Sequence, residues 1–423
     1  MSDVTAITPA PGDPAPALAP GLGAERRTTP VELLWDLVFV FAITEVTTLF
    51  AHQTGWARLG EAMLVLALVW WAWSAFVWAA NAQEEQSRML RACLLAGTAL
   101  IFIVGLAVPH AFGRNSLLFA LAYASVRFLH LGVYADASRR GNAGRAAILG
   151  FAITVVLGMV LLVVGALTHG WARVVLWLAA LAIDYAGPAW LTRERLRGLQ
   201  QVAVAHFAER YGAFVIICIG ESIVSVGVVV SEHPLTPGLV ISATLPLLTA
   251  VAMWWTYFDR TADRAQERLR VHRDPVLAAA DGYSYMHLII VAGIVLFAGG
   301  VKLVVHHSAS APMADAGRLA MCGGAALYLV GLAAFRLRIL GEHSLGRLFV
   351  AVALVVLYAA GAGLPAWTIG AGIAGLMAGL CGGEVVAHAR EREDAGEGDG
   401  EGAGSESPLD AVSSEPPGAA PAG

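Results

Sequence analysis

The sequence predicts an all-α, polytopic integral membrane protein with about twelve transmembrane helices. Three observations predict it. Hydrophobic residues make up 57% of the chain and charged ones only 14%, with a mean hydropathy of +0.67, whereas soluble domains are nearer ~45–50% apolar. Apolar runs long enough to cross about 30 Å of hydrocarbon recur from end to end. Arginines gather in alternate loops, as in a chain that weaves through a bilayer.

Taken in order, residues 1–24 form a Pro/Ala-rich N-terminal tail without the charged-then-apolar order of a secretory signal, and they read as disordered. The transmembrane domain covers 25–389. Its spans read at about 33–51, 61–80, 91–109, 116–134, 146–168 and 172–190, then 207–230, 239–258, 283–305, 318–336, 347–363 and 366–387. The tail at 390–423 is acidic and rich in Gly and Ser, a composition that cannot bury a core, and it also reads as disordered.

Loop charge predicts orientation. Arginines stand at 26 and 27, 88 and 91, 139, 140 and 145, and 193, 195 and 197, then at 260, 264, 268, 270 and 273, 336 and 338, and 390 and 392. The intervening loops hold only Arg58, Arg114, Arg173 and Arg318. Cytoplasmic loops carry the basic excess, so both termini are placed in the cytoplasm of a bacterial cell, the chain lying in its inner membrane.

The domain divides into halves, 25–198 and 199–389, that read as a six-plus-six parallel repeat. The first span contains LVFVFAITEVTTL and the seventh AFVIICIGESIVSV, which sets Glu45 opposite Glu221. The second and eighth spans share a Trp pair, Trp70-Trp71 and Trp254-Trp255. The likeness does not extend convincingly beyond these two helices.

The chain is organised around its first span, VELLWDLVFVFAITEVTTLF, which carries Glu32, Asp36 and Glu45. A carboxylate inside such a span costs about 2.5 kcal/mol or more to insert, so partners are required. At about 1.5 Å per residue, Asp36 lies ~6 Å from the inner end of its span, Arg127 ~10 Å and Asp184 ~9 Å, so the three share one level. His130, three residues after Arg127, shares its face. His206, Glu209 and Arg210 open the seventh span near the inner interface. Arg210 and Glu221, close to three turns apart, point the same way. These charges read either as locks between helices or as a substrate or ion pathway.

Glu45 and Glu221 lie deeper, near the midplane, with the hydroxyls of Ser222, Ser225, Thr44, Thr47 and Thr48 close in sequence. Carboxylates with oxygen ligands at that depth suit a proton or a hard cation. Lys302, the chain's lysine, is either a partner for them or snorkels outward. His287 reads as a hydrogen-bonding packing residue or a titrating relay. Glu384 and His388 read as an interfacial pair rather than a metal site.

The four cysteines show no CxxC spacing, and neither a metal centre nor a cofactor is indicated. Phosphate-loop, HExxH and dinucleotide motifs are absent, and no loop is long enough to hold a separate catalytic domain. The expectation is a protein that is not an enzyme, does not bind nucleic acid, and meets membrane lipids and a small solute or ion. A transporter or ion pathway leads. An enzyme acting on a lipid carrier through Asp36, Arg127, His130, Asp184, His206 and Arg210 is the second reading, and a sensor without turnover the third.

Arg26, Thr28, Glu32, Leu33, Asp36 and the run LVFVFAIT resemble the opening of the bacterial low temperature requirement A family. His206, Glu209 and Arg210 ahead of IICIGESIVSVG fit it too, as do Tyr283, Tyr285 and His287 ahead of Ile290. The likeness runs from about Arg26 to His388. It implies a polytopic membrane protein associated by name with growth in the cold, and it carries over no settled activity.

Overall fold

The computed structural model describes residues 28–52, 55–81, 88–139, 145–186, 203–231, 234–305 and 312–402. The predicted N-terminal tail, the Arg193–Arg197 loop and the chain from 403 onward lie outside them. Among the described residues every regular element is a helix. They are α1 (Pro30–His52), α2 (Trp56–Asn81), α3 (Arg88–Ala107), α4 (Ser116–Arg139), α5 (Arg145–Ala166), α6 (Trp171–Ala186), α7 (Val204–Ser231) and α8 (Pro237–Phe258). Two short helices, α9 (Thr261–Arg270) and α10 (Pro275–Ala279), and a π-helical turn (Ala280–Met286) lead into α11 (His287–Val305). α12 (Asp315–Leu340), α13 (Leu345–Ala360) and α14 (Ala366–Gly402) complete the chain.

Twelve of these helices fall on the predicted spans. Ten are long and apolar enough to cross a membrane. The other two, α6 and α13, have 16 residues each, a rise of about 24 Å against the ~30 Å of hydrocarbon. The basic segment after the eighth span is the helix α9, which buries Ala265 and Leu269 and leaves most of its charges outward. α14 continues as far as Gly402, past residue 389.

Contacts between loops sort the helix ends onto two sides. On the side where α1 begins, Glu32 meets His206 at the start of α7, Arg338 pairs with Asp281, and Arg264 and Arg336 both bind Glu342. On the opposite side, Ser116 bonds the carbonyl of Ala166, Met313 bonds that of Leu364, and Arg318 reaches Tyr358. The first is called here the entry side and the second the far side.

α1 is the central post, packed on α2, α3, α7 and α11. α2 is the most enclosed span, with 83% of its apolar 18-residue stretch buried. The most intimate pair is α11 with α12, and glycines explain it. A Cβ on Gly293 would lie 2.3 Å from the Tyr328 backbone nitrogen, and one on Gly324 2.4 Å from that of Phe297. Lipid supplies no hydrophobic drive between helices, so close backbone contact at small residues has to hold them.

Helix pairing recurs between the halves. In the first, α1 packs on α2 and α3, α3 on α4, α4 on α5, α5 on α6, and α2 on α6. In the second, α7 packs on α8 and α11, α11 on α12, α12 on α13, α13 on α14, and α8 on α14. A tyrosine tie also recurs: Tyr123 of α4 donates to the Leu68 carbonyl of α2, and Tyr328 of α12 to the Met253 carbonyl of α8.

Candidate functional site

Among the described residues, three groups of buried charges stand at successive places in the bundle. The first joins the starts of α1 and α7. Pro30 opens α1, and Glu32 reaches back to accept from the Thr29 N–H and hydroxyl, each at 2.9 Å, as the glutamate half of a capping box does. The same carboxylate lies 3.3 Å from His206 Nε2 and 3.3 Å from an Arg210 nitrogen. One turn on, Asp36 accepts two bonds from the Arg210 guanidinium, at 2.5 and 3.1 Å, and one from Trp73 Nε1 at 2.7 Å. Glu32, Asp36, His206 and Arg210 are all buried. Glu209 is exposed.

The second group joins α4 to α6. Arg127 binds Asp184 at 2.7 Å with both side chains fully buried, and His130 Nδ1 lies 3.3 Å from the same guanidinium. Arg127, Asp36 and Asp184 therefore do not form one cluster. Asp36 takes its cation from α7, and Phe76, its ring 4.5 Å from Trp35 and 5.5 Å from His130, stands between the two groups. Estimates of depth put the three at one level, but depth says nothing of which helices are neighbours.

Between these groups the π-helical turn makes a polar knot. Ser284 accepts from Trp78 Nε1 on its hydroxyl at 2.7 Å and from Trp70 Nε1 on its carbonyl at 2.7 Å, and it contacts the hydroxyls of Ser74 and Tyr211. His287 follows. Its Nδ1 donates to the Gly282 carbonyl at 3.0 Å, which leaves Nε2 to accept from Tyr257 at 2.7 Å. Widening the turn frees carbonyls, and the imidazole satisfies one of them. Both ring nitrogens are thus engaged. Ser284 carries no sequence signal beyond the aromatic residues around it, since a π turn has no periodicity to announce it.

The third group lies toward the far side. Lys302 of α11 sits 3.3 Å from Glu221 of α7 and donates to the Thr47 hydroxyl of α1 at 2.5 Å. Ser225 donates to Glu221 at 2.9 Å. Ser222 is buried, and its hydroxyl has no hydrogen-bond partner among the described residues. By helix rise, Glu221 lies about 15 Å from the far-side end of α7 and Glu45 about 10 Å from that of α1. Glu45 is half-buried and stands two residues before Thr47, roughly 200° around the helix from it. The ammonium is the part that sequence reasoning left open. Its reach to Glu221 depends on how α11 is set against α7.

A further pair, Arg347 of α13 with Glu384 of α14, closes at 2.8 Å near the entry side. It gives Glu384 a cation partner, and no group of metal-ligating side chains occurs among the described residues. All four cysteines are free thiols.

The model of a protein family described as Bacterial low temperature requirement A protein matches residues 27–381. A protein of Rhizobium meliloti (strain 1021), described only as uncharacterized, is 31% identical over 309 residues, covering 71% of this chain and 75% of its own length.

Proposed function

The chain belongs to the bacterial low temperature requirement A family, and from that premise we propose that it is a secondary transporter or ion pathway. In this reading it lies in the bacterial inner membrane with both termini in the cytoplasm, the entry side being the basic one. Glu221 is its exchangeable carboxylate and Lys302 the resident counter-ion.

One observation carries the reading: the Thr47–Lys302–Glu221 bridge, which ties α1 of the first half to α7 and α11 of the second. An ammonium on a carboxylate occupies the place that a proton or a small cation would take. When Lys302 is in place the site is neutral without a substrate ion. When the halves shift and the ammonium withdraws, Glu221 needs a proton or a cation instead, and the unpartnered Ser222 hydroxyl is at hand as an oxygen ligand. The recurring helix pairing supports a parallel six-plus-six build, the arrangement in which two bundles rock around a central site. The groups at Asp36 and at Arg127 serve this scheme as locks, because each is a buried ion pair that joins two helices.

Complementation of a deletion strain in the cold, at several pH values, tests the role of Glu221. Glu221→Gln keeps the shape of the side chain and removes its charge. The variant should reach the membrane at normal levels, fail to complement, and lose any dependence on pH. Full complementation at every pH would remove the reason for calling Glu221 an exchange site.

A further inference from the structure

On the entry side a cavity of about 600 Å³ opens between α8, α12, α13 and α14. It is far from Glu221 and stands independently of the transport reading. We propose that it binds an anionic phospholipid by its phosphodiester, with the acyl chains leaving sideways into the bilayer.

Four features converge on a phosphate. α13 begins at the cavity, and Ser344, its N-cap, makes no side-chain cap bond. The N–H groups of Leu345, Gly346 and Arg347 precede the first intrahelical bond, from Leu348 to Ser344. A helix start left in this way is an anion site. The Ser344 hydroxyl is turned away from capping because it contacts Arg336 at 3.2 Å and Arg347 at 3.4 Å. Arg347 is only 5% exposed, and its Nε has no hydrogen-bond partner among the described residues. Finally, Arg260, Arg336 and Arg347 line the cavity against two carboxylates, Asp259 and Glu384. Glu342, just outside the lining, is shared by Arg336 and Arg264, so four arginines there meet three carboxylates and one positive charge is left over.

Two features converge on a lipid rather than a soluble anion. The wall on α14 is a stripe of glycines, Gly375, Gly379 and Gly383, and a Cβ added at any of them would meet nothing within 4 Å. That stripe leaves a smooth channel along the helix. The rim is apolar and outward-facing, with Leu345 75% and Phe349 74% exposed. A headgroup seated at the α13 start would send its chains along the glycines and past this rim. The volume lies in the range of small-molecule sites, enough for the headgroup and the first part of a chain.

The test uses the full chain purified in mild detergent. Lipid retained by the protein is read by native mass spectrometry, and thermal stability is read after adding phosphatidylglycerol, phosphatidylcholine, or glycerol 3-phosphate. The wild type should retain phosphatidylglycerol over phosphatidylcholine, and phosphatidylglycerol alone should raise the melting temperature. Gly379→Leu fills the channel without touching a charge, and Arg347→Gln removes the buried cation. Each should retain about tenfold less phosphatidylglycerol, the loss of a charge-assisted contact or of chain burial. Near-ultraviolet circular dichroism shows whether each variant is folded. Equal retention of the two lipids by the wild type overturns the proposal, and so does wild-type retention in a folded Gly379→Leu protein. Stabilisation by glycerol 3-phosphate equal to that by phosphatidylglycerol also overturns it, in favour of a soluble phosphate.

Discussion

At the scale of single residues, the ion pairs of this bundle differ in how they should respond to loss of a partner. Arg127 and Asp184 are fully enclosed, so Arg127→Leu strands a buried carboxylate and should cost about 3–5 kcal/mol. Arg127→Leu combined with Asp184→Leu should recover most of that loss, because two apolar side chains replace a pair that repaid its own desolvation. Chemical or thermal denaturation in detergent reads both proteins. A double variant no more stable than the single one would mean that the pair is not isolated as described. Much of this was legible from sequence: that Arg127 needs an acid, and that Asp36, His206 and Arg210 belong near one interface. What sequence could not settle is the choice between Asp36 and Asp184, because that depends on which helices touch. Lys302 posed the same difficulty. Its position near the end of an apolar span fits snorkelling as well as it fits a partner, and only the placing of α11 beside α7 distinguishes them.

At the scale of elements, the tightest joint is α11 on α12, where Gly293 and Gly324 let the backbones meet. Gly293→Val would set a side chain against the Tyr328 backbone, which cannot give way as a flexible side-chain end can. The variant should lose folded yield and unfold at lower temperature, as measured by fluorescence-detected size exclusion. Unchanged behaviour would mean that the two helices sit farther apart. The π-helical turn makes a second prediction. Ser284→Ala removes the acceptor used by Trp78 and the contacts to Ser74 and Tyr211, leaving the Trp78 indole N–H unmatched while Ser74 and Tyr211 keep their bond to each other. A loss of about 1–3 kcal/mol, with a change in tryptophan emission, is expected. The long spans were readable because apolar runs of membrane length are a strong signal. The π turn was not, since it looks like the start of any helix.

At the scale of the whole molecule, topology and transport are the two claims. If the entry side is cytoplasmic, cysteine placed at Val271, 75% exposed there, should react only after the cells are opened. Cysteine at Arg114, exposed beside the far-side end of α4, should react in intact cells. Labelling in the reverse pattern would invert the orientation.

The most direct test of the transport reading is made in proteoliposomes. Purified protein is reconstituted with a pH-sensitive dye inside, and a pH or cation gradient is imposed across the membrane. The account predicts gradient-driven proton or cation movement by the wild type, beyond that of empty vesicles. Glu221→Gln should abolish it. Lys302→Met should also change it, because the carboxylate then lacks its resident counter-ion. Identical traces from wild type, Glu221→Gln and empty vesicles, under every gradient tried, would contradict the account.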